Sequence, residues 1–284
     1  MNPLRQQMID LMSYRNYSPR THQTYLGHVK NLALYYHRSP EEITEKEVDQ
    51  WLMFLFLKKK LAPASVMQAF NALKFLYSQV LEKEDFMLKI TLPKREQKIP
   101  DLLTPKEVKQ IINASKNRKV YAMLSLCYGC GLRLSEVTGV QVNHIDSKNQ
   151  RLKIVQGKGK KDRMVPMTLG VINVLREYWK YYRSPDFLFY GSRDEDRLSD
   201  STLQKSYTTT KKHAGVTKKG GIHALRHAYA THQIDAGMPI HQLKDILGHT
   251  DIRTTMRYLH WCPKTSSENF DLLQNWDGFK QEPS

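Results

Sequence analysis

The chain of 284 residues, 40% apolar and 10% aromatic, is long enough for one large domain or two ordinary ones, each with a real core. No apolar run approaches the roughly eighteen residues of a membrane span, and the opening MNPLRQQMIDLMSYR lacks the apolar segment of a signal peptide, so a cytoplasmic protein is expected. The formal net charge of +16 lies mainly in the C-terminal two-thirds: residues 1–90 hold 12 basic against 9 acidic side chains, and the remainder 32 against 19. It points to a polyanionic partner, most simply nucleic acid, with a merely solvated basic surface as the plainer alternative.

The first ninety residues read as four short helices in a bundle. Ile9, Leu11 and Met12 open the first. Ser18 followed by Pro19 has the form of an N-cap with proline at the first helical position, starting a helix that runs to about Tyr36. Thr44 with Glu47 has capping-box spacing, and Val48, Trp51, Leu52 and Leu55 follow at helical intervals. Lys58, Lys59 and Lys60 close that helix, where cations suit its dipole. The fourth helix spans about 63–81, with Val66, Phe70, Leu73 and Tyr77 along one face. No catalytic cluster occurs in this part. Its basic helix ends, Arg20 and Lys58 to Lys60, suit a DNA backbone or plain solvent.

Residues 91–103, TLPKREQKIPDLL, combine two prolines, basic charge and no helical period, which reads as a linker lying along a polyanion. A second capping box, Thr104 with Glu107, opens the larger domain, taken as 104–276 with 277–284 as a tail. A helix follows to about Ala114, then an apolar helix over about 121–128. Cys127 and Cys130 form a CxxC there, but without a second pair they read as buried structural thiols rather than a zinc or redox site, and Cys262 stands apart. The chain continues GCGLRLSE. Two strand-like runs, 151–156 and 163–167, flank the basic glycine-rich turn GKGKKD, a β-hairpin whose spacing does not make a nucleotide-binding loop. Helices over 168–182 and 199–213 follow, separated by a short strand at 187–190.

The stretch 223–258, HALRHAYATHQIDAGMPIHQLKDILGHTDIRTTMRY, concentrates the reactive side chains. On a helix starting near His223, Leu225, Tyr229 and His232 share one face, while His223, Arg226 and Ala230 point the other way, so one face packs and the other presents an imidazole beside a guanidinium. His227 leans toward that second face. Zinc binding by His223 and His227 is the competing reading, but it lacks the intervening Glu and a third ligand.

Together GLRLSEV, QGKGKKDRMVP, HALRHAYATH and LGHTDIRTTMRY resemble the tyrosine recombinases, or phage integrase family, most of all its Xer-like and transposon-borne members. The resemblance covers nearly the whole chain. It implies a mainly α protein with a small antiparallel β-sheet: an N-terminal helical, SAM-like core-binding domain (1–90), a basic linker (91–103) and an α+β catalytic domain, closing as a C-shaped clamp on DNA. Carried over by motif, the family's catalytic residues fall on Arg133, Lys158, His223, Arg226, His249 and Tyr258. Lys160 and Lys161 share the turn of Lys158.

These residue types suit strand cleavage. Two guanidiniums offer planar forks for the non-bridging oxygens of a phosphodiester, where charge builds in the transition state. A tyrosine, with an ordinary pKa near 10, needs a proton acceptor to attack, and the resemblance implies His223. Lys158 is implied as the acid for the 5′ leaving oxygen, and His249 as one more hydrogen bond to the phosphate. Positioning and electrostatics suffice for phosphoryl transfer, so no metal, ATP or other cofactor is expected. The implied activity is site-specific DNA recombination, integration or transposition through a 3′-phosphotyrosyl intermediate and a Holliday junction. The implied partners are double-stranded DNA recombination sites and a homo-tetramer spanning two of them, with no membrane partner, any helper protein left open, and nucleoid association when DNA is bound. Residues 259–276 read as a short amphipathic tail helix that docks on a neighbouring protomer or on its own domain. A type IB topoisomerase-like relaxing activity and a catalytically silent DNA-binding relative are the alternatives.

Overall fold

The computed structural model describes residues 3–83, 85–88, 100–155, 162–184, 186–191 and 196–261. The chain divides into two compact units, Met1–Lys98 and Ile99–Ser284.

The first unit is helical among its described residues: α1 (Pro3–Tyr14), α2 (Pro19–Tyr36), α3 (Glu45–Leu57) and α4 (Pro63–Phe75), with a 3₁₀ turn at Pro40–Glu42. Ser18 Oγ accepts from Thr21 N at 3.2 Å, and Pro19 occupies the first turn, as the sequence pattern requires. Thr44 and Glu47 close a reciprocal capping box, which stabilises the start of α3 by about 1 kcal/mol. The core is built from Leu4, Met8, Met12, Leu32, Val48, Trp51, Leu52, Val66 and Leu73. In α1 the buried face is therefore Leu4, Met8 and Met12, four residues apart, while Ile9 and Leu11 flank it half-buried.

The helix expected over 63–81 changes pitch. It is α-helical to Phe75 and then makes one π turn, Leu76–Val80, closed by Leu81 N donating to Leu76 O at 2.9 Å. The wider turn accommodates Tyr77 in the core, where it stacks on Phe86 (centroids 3.8 Å apart) and donates to Pro40 O at 2.7 Å. That bond satisfies a buried hydroxyl which would otherwise cost roughly 1–3 kcal/mol.

The second unit carries α5 (Pro105–Asn113), α6 (Arg118–Gly129), α7 (Leu134–Thr138), a three-stranded sheet, α8 (Leu169–Tyr182), α9 (Asp200–His213), α10 (His223–Asp235), α11 (Ile240–Leu247) and α12 (Ile252–Trp261). The sheet is antiparallel in the order β1 (Ile145–Asp146), β2 (Arg151–Ile154), β3 (Arg163–Pro166), with Leu152 opposite Val165 and Ile154 opposite Arg163. β2 buries Leu152 and Ile154 and exposes Arg151 and Lys153, the alternation of a sheet covered on one face. The GKGKKD turn between β2 and β3, with Lys158, lies outside the described residues, as do residues 91–99 of the stretch read as linker and the tail from 262 onward.

Three expectations change in this unit. The run 187–190 is not a strand: it makes single bridges, Gln141 to Phe187 and Tyr190 to Arg197, and buries Leu188 and Phe189 together. An apolar segment covered on both sides needs no ladder if its backbone is satisfied elsewhere, here by Leu188 N donating to Val140 O at 2.8 Å. Residues 100–103 pack on the second unit: Leu103 is buried, Lys218 Nζ donates to Leu102 O at 2.6 Å, and Lys219 N donates to Asp101 at 3.0 Å. Finally, α10 is enclosed on both faces. Leu225 and Tyr229 are buried as expected, but so are Arg226, Ala228, Ala230 and Thr231, because α5, α6, α11 and α12 all pack on this helix. The expected amphipathic helix is the centre of the domain.

Cys127 and Cys130 are buried in that core, and burial pushes both thiols up to about 12, so they are inert apolar filling. Among the described residues no His, Cys, Asp and Glu cluster is arranged to hold a metal ion, and no helix is long and apolar enough to cross a membrane.

Candidate active site

The site forms where α10, α11 and α12 meet the turn between α6 and α7. Two left-handed glycines shape it. Gly131 (φ +62°) lies where a Cβ would come within 2.4 Å of the Tyr229 ring, and Gly248 (φ +62°) caps α11 where a Cβ would come within 2.9 Å of Arg163. Only glycine adopts this backbone without strain at such close approach. Each turns a carbonyl toward a guanidinium: Arg226 Nη1 donates to Gly131 O at 2.7 Å, and Arg133 Nη2 donates to Gly248 O at 3.1 Å.

Arg226, on α10, is only 4% exposed. Its Nη2 donates to Leu247 O at 2.7 Å and lies 3.1 Å from His249 Nε2. Burial, then Arg133 nearby, pulls the guanidinium down to about 10, against the upward pull of Glu136 and Tyr258, so it stays charged at neutral pH. His249 follows Gly248, and its Nδ1 lies 2.8 Å from Thr255 Oγ1 at the start of α12. Since arginine only donates, Nε2 of His249 accepts from Arg226, which leaves Nδ1–H to donate to Thr255. Arg226 thus sets the tautomer of the imidazole, and the buried Thr255 hydroxyl accommodates it.

Tyr258, on α12, is 4% exposed, and its ring lies parallel to that of His249 with centroids 6.4 Å apart. Burial pushes the phenol up, while Arg226, Arg133 and a hydrogen bond from Arg226 pull it down; the net direction is upward, so the phenol is protonated at neutral pH. Its hydroxyl also lies 3.0 Å from His227 Nδ1. His223 stands exposed at the first turn of α10, yet partial burial of its ring, then Arg226 and Arg133, lower its pKa against the opposing pull of Glu136, so it is neutral at pH 7. Among the described residues no hydrogen bond joins His223 to Tyr258.

The sequence reading missed the group that holds the arginines. Glu136, 9% exposed at the third position of α7, accepts from Arg133 N (2.8 Å) and Arg133 Nη1 (2.7 Å), and from Arg163 Nη1 and Nη2 (both 2.8 Å), with Arg226 Nη1 3.8 Å away. Burial alone would raise its carboxyl; hydrogen bonding and charge from Arg163 and Arg133 outweigh that and hold it at about 2. Arg163, from β3, also donates from Nε to Ile246 O at 2.7 Å, tying the hairpin to α11. The spacing Arg133 to Glu136 is that of a capping box, the one signal in GLRLSEV that pointed to a structural carboxylate. Nothing local marks Arg163, whose partners Glu136 and Ile246 are distant in sequence.

Thus Arg133, Arg226, His249 and Tyr258 converge, His223 stands at the edge of the group, and Lys158 lies outside the described residues. Residues 101–264 match the phage integrase family, and residues 4–85 match the phage integrase N-terminal SAM-like domain. A tyrosine recombinase of Pseudothermotoga lettingae is 32% identical over 273 residues, covering 93% of this chain and 94% of that protein. The crystal structure of XerA recombinase is 30% identical with a TM-score of 0.54, covering 91% of this chain and 93% of that one. A lambda integrase, solved as a tetramer bound to a Holliday junction, shares the fold with a TM-score of 0.71 at 17% identity, over 89% of this chain and 75% of that one. The chain belongs to the phage integrase family, the tyrosine-type site-specific DNA recombinases.

Proposed function

We propose that this recombinase cuts double-stranded DNA by attack of Tyr258 Oη on a backbone phosphorus. The Oη–P bond forms and the P–O5′ bond breaks, leaving a 3′-phosphotyrosyl link and a free 5′ hydroxyl. One phosphodiester replaces another, so the energy of the broken bond is retained, and a 5′ hydroxyl from a second strand reverses the step without ATP. The observation that carries this reading is the convergence of Arg133, Arg226 and His249 on the Tyr258 end of α12.

In this reading Arg133 and Arg226 hold the non-bridging oxygens, since their forks match phosphate geometry and Glu136 keeps them side by side against their mutual repulsion. His249 adds one more hydrogen bond there as an Nε2–H donor, the Thr255 hydroxyl then donating to Nδ1. By family resemblance a histidine of α10 takes the phenol proton, and His223, neutral at pH 7, is the one the motif names. Lys158 supplies the proton to O5′. The chemistry needs no metal or cofactor. The acting species is a homo-tetramer on two DNA sites passing through a Holliday junction, supported by the lambda integrase tetramer solved on such a junction. The basic excess of the chain supplies the phosphate footprint, and a DNA-bound protein of this kind is cytoplasmic and nucleoid-associated.

The test is covalent trapping on nicked duplexes drawn from the DNA flanking the gene. Tyr258→Phe removes only the nucleophilic oxygen and is expected to abolish the protein–DNA adduct while leaving DNA affinity within about twofold of the parent. Persistence of the adduct in that variant would rule out Tyr258.

A further inference from the structure

The imidazole in contact with the Tyr258 hydroxyl is not the one the family pattern names as its proton acceptor. His227 Nδ1 lies 3.0 Å from Tyr258 Oη. Arg226, whose charge pulls the phenol's pKa down, has donors only and cannot take a proton from it. The phenol's own proton therefore needs a different acceptor, and Nδ1 of His227 is within hydrogen-bond distance of it. This fixes the tautomer of His227 with hydrogen on Nε2. Trp261 packs edge-on against both rings, at 5.6 Å from His227 and 5.2 Å from Tyr258, and holds the pair together.

We propose that His227, one residue beyond Arg226 on α10, is a catalytic base of the cleavage step and accepts the Tyr258 proton on Nδ1. The proposal rests on Tyr258 as nucleophile. As Oη bonds to phosphorus, its oxygen becomes that of an aryl phosphodiester and can no longer keep a proton. The Oη–H bond breaks, the proton passes to Nδ1, and His227 becomes an imidazolium. When a 5′ hydroxyl displaces the tyrosine, the same proton returns to Oη, so the step is balanced in both directions. The titratable and charged groups around the pair are His223 and Arg226 on α10, Arg133 before α7 and His249 before α12. Burial, then His223 and Arg226, hold His227 down at about 4, so in the free protein the proton rests on the phenol and Nδ1 is unprotonated. An incoming phosphate brings negative charge beside these cations, which raises the basicity of His227 when it is needed.

The experiment measures the rate of covalent adduct formation on a nicked duplex that the wild-type chain attacks, with DNA affinity measured in parallel. His227→Phe keeps the ring volume against Trp261, and His227→Asn puts an acceptor that cannot take a proton near the place of Nδ1. Both are expected to slow adduct formation roughly 10²- to 10⁴-fold, the range for loss of a general base, with DNA affinity unchanged. His227→Ala with added imidazole is expected to recover rate in proportion to the free imidazole base, rising with pH through its pKa, which a packing defect would not do. A wild-type rate in His227→Phe, a near-wild-type rate in His227→Asn, or imidazole rescue of His223→Ala but not of His227→Ala would each overturn the assignment. If His227→Phe does not fold, the rate of His227→Asn and the rescue decide. Tyr258→Phe separates the two levels: an adduct there refutes the nucleophile, whereas no adduct there with a normal rate in His227→Phe refutes only the base.

Discussion

Glu136→Gln tests the electrostatic frame of the site. The substitution keeps the shape of the side chain and removes the one carboxylate, among the described residues, that faces Arg133, Arg163 and Arg226 in a buried place. The amide oxygen can accept one or two of the four hydrogen bonds, and its NH₂ meets donors. Removing one member of a buried ion cluster costs about 3–5 kcal/mol. The carboxyl's own titration agrees. It lies at about 2 in the folded chain against an ordinary value of 4.5, and that difference of about 2.5 units, at 1.36 kcal/mol each, comes to roughly 3 kcal/mol. For a unit of this size the melting temperature is expected to fall by roughly 6–15 °C.

The pH dependence has a definite sign. Because the folded pKa is depressed, the contribution is fully present above about pH 4.5 and fades as pH falls toward 2. Urea denaturation of parent and variant should therefore show a gap of about 3 kcal/mol at pH 7 that shrinks to roughly half by pH 3. A variant within about 0.5 kcal/mol of the parent at pH 7, or a gap unchanged between pH 7 and pH 3, would refute the claim that Glu136 anchors these arginines.

Other perturbations probe neighbouring links. Arg226→Lys keeps the charge but loses the fork that reaches Gly131 O, Leu247 O and His249; adduct formation is expected to fall at least about 100-fold, and near-normal cleavage would contradict the bidentate role. Gly131→Ala places a Cβ against the Tyr229 ring at a positive φ, and a loss of more than about 1 kcal/mol is expected by chemical denaturation. DNA binding should weaken steeply with salt, by roughly 10³- to 10⁵-fold between 50 and 200 mM for six to ten phosphate contacts, and a flat response would show that the +16 charge is not a phosphate footprint.

What was legible in the sequence is what is local. Capping boxes at Thr44 and Thr104, the proline-led start of α2 and the alternation of β2 are each written within a few residues, because a helix terminus or a pleat is satisfied by its immediate neighbours. The motifs GLRLSEV, HALRH and LGH-to-Tyr258 likewise announce the family without any fold. Tertiary structure alone decided the rest. It enclosed α10 on both sides, so that the guanidinium of Arg226 points into the domain; no periodicity encodes how many neighbours a helix will have. It widened the end of α4 into a π turn to let Tyr77 reach Pro40, 37 residues earlier. It also brought Arg163 to the locally paired Arg133 and Glu136, and set His227 rather than His223 against Tyr258. Charges and proton acceptors gain their meaning from what faces them in a buried, low-dielectric place, and those partners come from distant parts of the chain.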